Sequence, residues 1–323
     1  MTTSTEKLVA GVLAGDIRSL AKAITLLETS KADQRHLADS VLAALLPYSG
    51  RSLRIAISGP PGVGKSTFIE SFGDHLVKAG HRLAVLAIDP SSPVSGGSIM
   101  GDRLRMEALA RSPNVYIRPS PSAGMLGGTA RRTRESIIAC EAAGFDLICI
   151  ETVGVGQSET LAASMTDLFI LLSLPNSGDE VQGIKRGILE LADFVVVTKA
   201  DGEAKQAAEL ARYQIEQALM LTRSGSKFPP EVSTVSSLDG SGIRELSIAV
   251  AAAATKRRSS DYFENRRSNQ AVAWFRSEFT ELLIADAELK LKDQAAAMVD
   301  AVKSGKIAPS IAAAQLAAKL TGK

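Results

Sequence analysis

Residues 59–66, Gly-Pro-Pro-Gly-Val-Gly-Lys-Ser, join three glycines, a lysine and a hydroxyl in the pattern GxxxxGK[ST]. Glycines let backbone N–H groups approach an anion closely, lysine adds a mobile positive charge, and a hydroxyl is a hard ligand for Mg²⁺. Gly59, Pro60, Pro61, Gly62, Val63, Gly64, Lys65 and Ser66 therefore read as a cradle for a nucleoside triphosphate, with Lys65 on the β- and γ-phosphates and Ser66 on the metal. Such a loop works only between a strand and a helix, whose positive end then faces the phosphates.

Carboxylates come next. The stretch FDLICIETVGVGQSE, 145–159, runs apolar until Glu151 and then breaks into glycines. A buried carboxylate is costly without a partner or a metal, so Glu151 at a strand end marks a site. Many GTP-cleaving proteins end the corresponding strand Asp-x-x-Gly; here it reads Glu151-Thr152-Val153-Gly154. Glu151 would hold Mg²⁺ waters or the attacking water, and the Gly154 N–H would meet the γ-phosphate and sense its loss. Gly156 would keep that loop mobile. AIDPSS puts Asp89 at the end of another apolar run, and Asp102 follows Gly96, Gly97 and Gly101. Both fit a magnesium ion held through its retained waters; Asp102 reads equally as a solvated helix cap. Glu151, Lys65 and Asp102 are the residues expected to act on the reaction.

The base is read from VVVTKADGE. Guanine offers two adjacent donors that one carboxylate, Asp201, accepts together, whereas adenine presents an acceptor there. Lys199 would lay its stem over the base. Thr198 stands where asparagine is usual and lacks amide geometry. Ser236 and Ser237, in VSSLDGSG, would lie near the guanine carbonyl.

These residues need a scaffold. Short β-branched runs, LRIAIS, RLAVLAI, NVYIR, DLICIE, DLFILLSL, DFVVVT and PEVSTVS, most of them continuously apolar, alternate with helical stretches. Runs of this kind suit parallel strands covered on both faces, and the alternation reads as βαβ units in a doubly wound, mostly parallel sheet. Helical spacing over 1–50 ends at PYSGR, 47–51, and strands stop after about residue 254. The expected organisation is an N-terminal helical region (1–50), an α/β nucleotide-binding domain (51–254) and a C-terminal helical arm (255–323) that packs on the domain or on a second copy.

Composition narrows the class. The 323 residues are 45% hydrophobic and 22% charged, with a formal net charge of +2 and 4% aromatics. Near-neutral charge does not imply a nucleic-acid partner and few aromatics weaken a single-strand stacking reading, so none is expected. Two cysteines, Cys140 and Cys149, lie in apolar runs and read as buried and inert. No run approaches a membrane span and the N-terminus lacks a signal-peptide core, so a soluble, cytoplasmic chain is expected. Arg131, Arg132 and Arg134, in ARRTRE, read as a solvated helix face rather than a partner contact.

With these pieces in place, the chain resembles the MeaB/MMAA/ArgK family of P-loop GTPases, chaperones of adenosylcobalamin-dependent acyl-CoA mutases such as methylmalonyl-CoA mutase. The resemblance is carried by GPPGVGKST, AIDPSSPVSGGSIMGDRLRM, RPSPSAGMLGGTARRTRE, ETVGVGQSE and DEVQGIKRGI, in that order. It implies a phosphate loop from Gly59 to Thr67, with Ser66, Asp89, Asp102 and Glu151 around Mg²⁺ and water. It implies a moving element, PNSGDEVQGIKRG, whose Asp179 and Lys185 report the nucleotide's state to the mutase. It further implies a homodimer built with the C-terminal arm, and GTP hydrolysis tied to loading intact cofactor and rescuing an inactivated mutase. Two other functions compete with this one. A nickel or cobalt metallochaperone needs imidazole or thiolate ligands, and three histidines with no clustered cysteine argue against it. A kinase of periplasmic transport proteins needs a substrate-hydroxyl site for which no motif is evident.

Overall fold

The computed structural model describes residues 4–29, 31–88, 106–118, 126–152, 157–175, 186–222 and 227–320. Seven strands appear among them: β1 (Leu53–Ser58), β2 (Leu83–Ile88), β3 (Val115–Arg118), β4 (Leu147–Thr152), β5 (Leu168–Ser173), β6 (Phe194–Val197) and β7 (Glu231–Thr234). They form one sheet in the order β3-β2-β4-β1-β5-β6-β7, each neighbour parallel. This is the doubly wound sheet that the apolar runs predict: β4, β5 and β6 are buried along their whole length.

Period-two alternation decides which face each residue serves. Leu53, Ile55 and Ile57 of β1 and Leu147 and Cys149 of β4 share a core with Phe68, Ile69 and Phe72 of α4 (Lys65–Lys78). Leu246 and Val250 of α10 (Ile243–Arg258) join the same layer. Phe68 and Phe72 stack at 5.4 Å between centroids. Each fully buried large side chain contributes about 1.5–3 kcal/mol, so this layer anchors the helix that follows the glycine-rich loop. The opposite face carries α7 (Gln157–Ala163) against β1 and β4, and α6 (Leu126–Ala142) against β2.

The N-terminal helices, α1 (Ser4–Leu13), α2 (Ile17–Leu27) and α3 (Ala32–Leu45), pack together and against α6. In α2 the buried stripe Leu20, Ala23, Ile24 and Leu27 follows helical spacing. Asp16 caps it, accepting from Ser19 N at 2.9 Å. Arg35 pairs with the buried Glu135 of α6, and Arg118 with Glu28. The break at PYSGR is held in place by Glu141, which accepts from Gly50 N at 2.6 Å and from Arg54 Nε and Nη2 at 2.9 Å each. The arginine run is not a solvated face. Arg131, Arg132 and Arg134 are half-buried; Arg131 lies 3.9 Å from Glu135, and Arg134 donates to Ser164 Oγ at 2.8 Å. Packing of α6 under the sheet draws these long side chains inward, where their charge still finds acceptors.

The chain divides into two compact units, Met1–Ser268 and Asn269–Lys323. The helix Tyr262–Lys290 is followed by helices Lys292–Lys303 and Pro309–Leu320. Within the first unit, Arg267 clamps the buried Asp167 at 2.6 and 2.7 Å and donates to the Ser52 carbonyl. Cys140 and Cys149 are free and buried. Burial pushes both thiols up, Cys149 to about 12. Among the described residues no helix is long and apolar enough to cross a membrane.

Candidate functional site

The glycine-rich loop connects β1 to α4, at the end of the sheet where all parallel strands deliver their C-termini. Two of its glycines answer geometric needs. Gly64 precedes α4 at φ 90°, a left-handed conformation that side chains disfavour. At Gly59 an added Cβ would stand 2.7 Å from the Leu172 carbonyl oxygen. Val63 is fully buried between them, and Pro61 and Gly62 are exposed. Pro60 is half-buried. Lys65 Nζ donates back to the Gly59 and Pro60 carbonyls at 2.8 and 3.2 Å, so its charge sits over the concave side of the loop. Thr67 is exposed on the first turn of α4.

Ser66 Oγ faces Glu151 Oε1 at 3.4 Å. Glu151 sits at the end of β4, paired with Ile57 of β1 on one side and Ala87 of β2 on the other, and is 8% exposed. A hydroxyl and a carboxylate this close, at a helix N-terminus, are the hard oxygen donors that Mg²⁺ accepts directly or through water, and they fit that ion. β2 ends at Ile88, opposite Thr152, which brings the chain beside Glu151. The next residue, Asp89, lies outside the described residues, as do Asp102, Gly154, Asp179 and Lys185.

The segment after β6 leans on the glycine-rich loop. The Thr198 hydroxyl donates to the Val63 carbonyl at 2.8 Å, with the Ser173 carbonyl at 3.2 Å. Thr198 is 2% exposed, so its hydroxyl faces protein carbonyls rather than a base. Lys199 is a non-glycine residue at φ 56°, a conformation costing about 1–2 kcal/mol. It is held there by its Nζ, which donates to the Gly62 carbonyl at 2.8 Å. Strain of this kind concentrates at working sites. Ser236 donates to Asp201 Oδ2 at 2.6 Å and is fully buried. Its hydroxyl therefore orients Asp201 instead of facing outward; Ser237 beside it is half-buried.

Reasoning from motifs missed a second polar group. Thr152, Ser58, Ser158 and Glu159 are each at most 2% exposed and meet at the ends of β1 and β4. The only signal was their place beside Gly59 and Glu151. Among the described residues no group of three or more His, Cys, Asp or Glu side chains could hold a metal.

Comparison with known proteins gives the family and agrees with the fold. The family model described as "Methylmalonyl Co-A mutase-associated GTPase MeaB" matches residues 20–292. A protein named "Probable GTPase" from Mycobacterium tuberculosis is 46% identical over 317 residues, 96% of this chain and 93% of that one. "GTPase ArgK" of Escherichia coli is 45% identical over 268 residues, 83% and 81% of the two chains. The mouse "Methylmalonic aciduria type A homolog, mitochondrial" is 42% identical over 321 residues, 95% and 77% of the two. A solved structure described as "Crystal structure of LAO/AO transport system kinase" superposes with TM-score 0.78 at 33% identity, covering 99% of each chain. With the family model matching residues 20–292 and relatives 42–46% identical over most of its length, the chain belongs to the MeaB family of GTPases.

Proposed function

We propose that this chain binds GTP, cleaves it to GDP and phosphate, and couples the cleavage to chaperoning an adenosylcobalamin-dependent acyl-CoA mutase. The observation that carries the nucleotide half is the pair of bonds from Thr198 and Lys199 to the Val63 and Gly62 carbonyls. They seat a base-reading segment directly on a phosphate-binding loop, so one bound molecule spans both. Asp201, steadied by Ser236, accepts guanine's two donors and refuses adenine by about 1–3 kcal/mol. Backbone N–H groups over Gly59–Thr67 wrap the phosphates, and Lys65 supplies charge to the β- and γ-phosphates.

Ser66, with Glu151, Asp89 and Asp102, would hold Mg²⁺, which when bound neutralises charge building on the phosphate oxygens. Glu151 orients water at the strand end, and the Gly154 N–H answers to the γ-phosphate. Glu151→Gln should leave GDP affinity within about threefold while lowering turnover by about tenfold or more, because a misplaced water costs rate rather than binding. Wild-type turnover in that variant would remove Glu151 from the reaction.

The mutase half draws on the family's description and on the name of the mouse relative. In this reading Asp179 and Lys185 carry the nucleotide's state to the client, and the C-terminal arm (255–323) joins two copies. Exposed Val272, Phe275, Phe279, Leu282 and Leu283 on the helix Tyr262–Lys290 support a homodimer, since exposed apolar side chains in such number mark an interface. Capture of a purified mutase by this chain, compared with GDP and with a non-hydrolysable GTP analogue, tests the coupling. Equal capture in both states, or none, would refute it. The name carried by the solved relative suggests a second reading, phosphotransfer to a transport protein. γ-Labelled GTP distinguishes the two: label released as free phosphate supports hydrolysis, and label on a binding protein supports the kinase.

A further inference from the structure

The strand ends that carry the candidate site present a polar group on each face. On the α4 side, Glu151 meets Ser66. On the opposite side, period-two alternation turns Ser58 and Thr152 toward α7. Ile57 pairs with Glu151, so the residues that follow each of them, Ser58 and Thr152, lie side by side. Thr152 Oγ1 donates to Ser58 Oγ at 2.8 Å. Ser58 Oγ in turn lies 3.4 Å from Glu159 Oε1, and Ser158 Oγ lies 3.2 Å from Glu159 Oε2. Exposure is 1% at Ser58, 0% at Thr152 and Ser158, and 2% at Glu159.

A carboxylate and three hydroxyls so deeply enclosed are an expensive way to fill space. Alanine, valine and leucine would occupy the same volume without the cost of stripping water from polar groups. What the polar chain adds is direction. A hydrogen bond has a preferred length and angle, whereas apolar packing tolerates sliding. Ser58 is covalently joined to Gly59, the first residue of the loop, and Thr152 is joined to Glu151. The Thr152–Ser58 bond therefore adds a side-chain link to the backbone ladder, between the end of β1 that leads into the loop and the end of β4 that carries Glu151.

We propose that Ser58, Thr152 and Glu159 are positioning residues that hold Glu151 in register with the phosphate loop from the far face of the sheet. This rests on the reading of Glu151 as a residue of GTP cleavage, and it adds residues that never touch the nucleotide. Glu159 orients the Ser58 hydroxyl, Ser58 accepts from Thr152, and the end of β4 is fixed.

Single-turnover GTP cleavage by the full chain tests this. Thr152→Val, which keeps shape and removes only the hydroxyl, should slow cleavage by about tenfold or more, since small misplacements at a reacting centre cost up to about 10²-fold. Kd for GDP and for a non-hydrolysable GTP analogue should stay within about threefold. Thr152→Ser should recover the rate. Ser58→Ala should match Thr152→Val, and the double variant should fall no further than either single, because both cut one link. Should either fold poorly, Glu159→Gln keeps an acceptor for Ser58 and should lose about threefold or less, with Glu159→Ala losing as much as Thr152→Val. Wild-type rates in Thr152→Val and Ser58→Ala would overturn the proposal, as would a rate loss that only tracks lost nucleotide affinity or lost melting temperature. Absence of any GTP binding by the wild-type chain would instead overturn the nucleotide reading itself, and this inference with it.

Discussion

Thr198→Val removes one hydroxyl at almost constant volume, at the point where the segment after β6, proposed to read the base, meets the glycine-rich loop. In the structure that hydroxyl supplies a single proton to the Val63 carbonyl at 2.8 Å, with the Ser173 carbonyl as the longer alternative at 3.2 Å. Val63 is fully buried, so its carbonyl gains no water in exchange. Leaving a buried acceptor unpaired costs about 1–3 kcal/mol. For a unit of this size, that should lower Tm by roughly 2–12 °C. The bond also braces the glycine-rich loop, so on the proposed reading GDP and GTP affinities should weaken by one common factor. Its upper limit is about 150-fold, the equivalent of about 3 kcal/mol. The preference for guanine over adenine should not change, because the hydroxyl faces protein carbonyls. Thr198→Ser should restore both quantities. The assay is calorimetric titration with GDP, a GTP analogue and ADP, paired with thermal unfolding of the same samples. A loss of guanine preference with Tm and GDP affinity unchanged would mean that Thr198 reads the base, and the reasoning would fail.

Asp201→Asn should shift preference from GDP toward xanthosine diphosphate, because the amide donates where the carboxylate accepts; competition binding measures it, and unchanged preference would remove Asp201 from base reading. Arg267→Met strands Asp167, whose side chain is fully buried, and should cost about 3–5 kcal/mol in urea unfolding; Arg267→Met with Asp167→Asn should recover part of that loss. Cys140 and Cys149 should resist a thiol reagent at about pH 7.5 in the folded chain and react once urea unfolds it. Their folded thiols hold protons above the ordinary value of 9.0, so the unfolded state binds fewer protons there. Stability should therefore be unaffected by these groups below about pH 9 and fall as pH rises beyond it; urea midpoints on either side of that value check the sign.

Much of the fold was legible along the chain because its signals are local. Seven runs gave seven strands: the central β4, β5 and β6 are buried on both faces and so apolar, while the edge strand β7 showed only through its β-branched Val232 and Thr234, and GxxxxGK[ST] named its own context of strand, turn and helix. Pairing in space was not legible. Thr198 looked like a defective base reader until the sheet order put β6 beside β5 and β5 beside β1, where its hydroxyl meets Val63. Ser236 looked like a contact for the base, yet closure of the loop after β7 buries it against Asp201. The arginines of ARRTRE looked solvated, because charge in sequence says nothing about acceptors such as Ser164, supplied from across the fold. The polar group of Ser58, Thr152 and Glu159 is the clearest case. Residues 58 and 152 are neighbours only through the β1–β4 register, and composition carries no trace of that alignment. The order of residues determined which chemistry was present; the sheet decided which side chains could act on one another, because hydrogen bonds reach about 3 Å while the chain separates these partners by nearly a hundred residues.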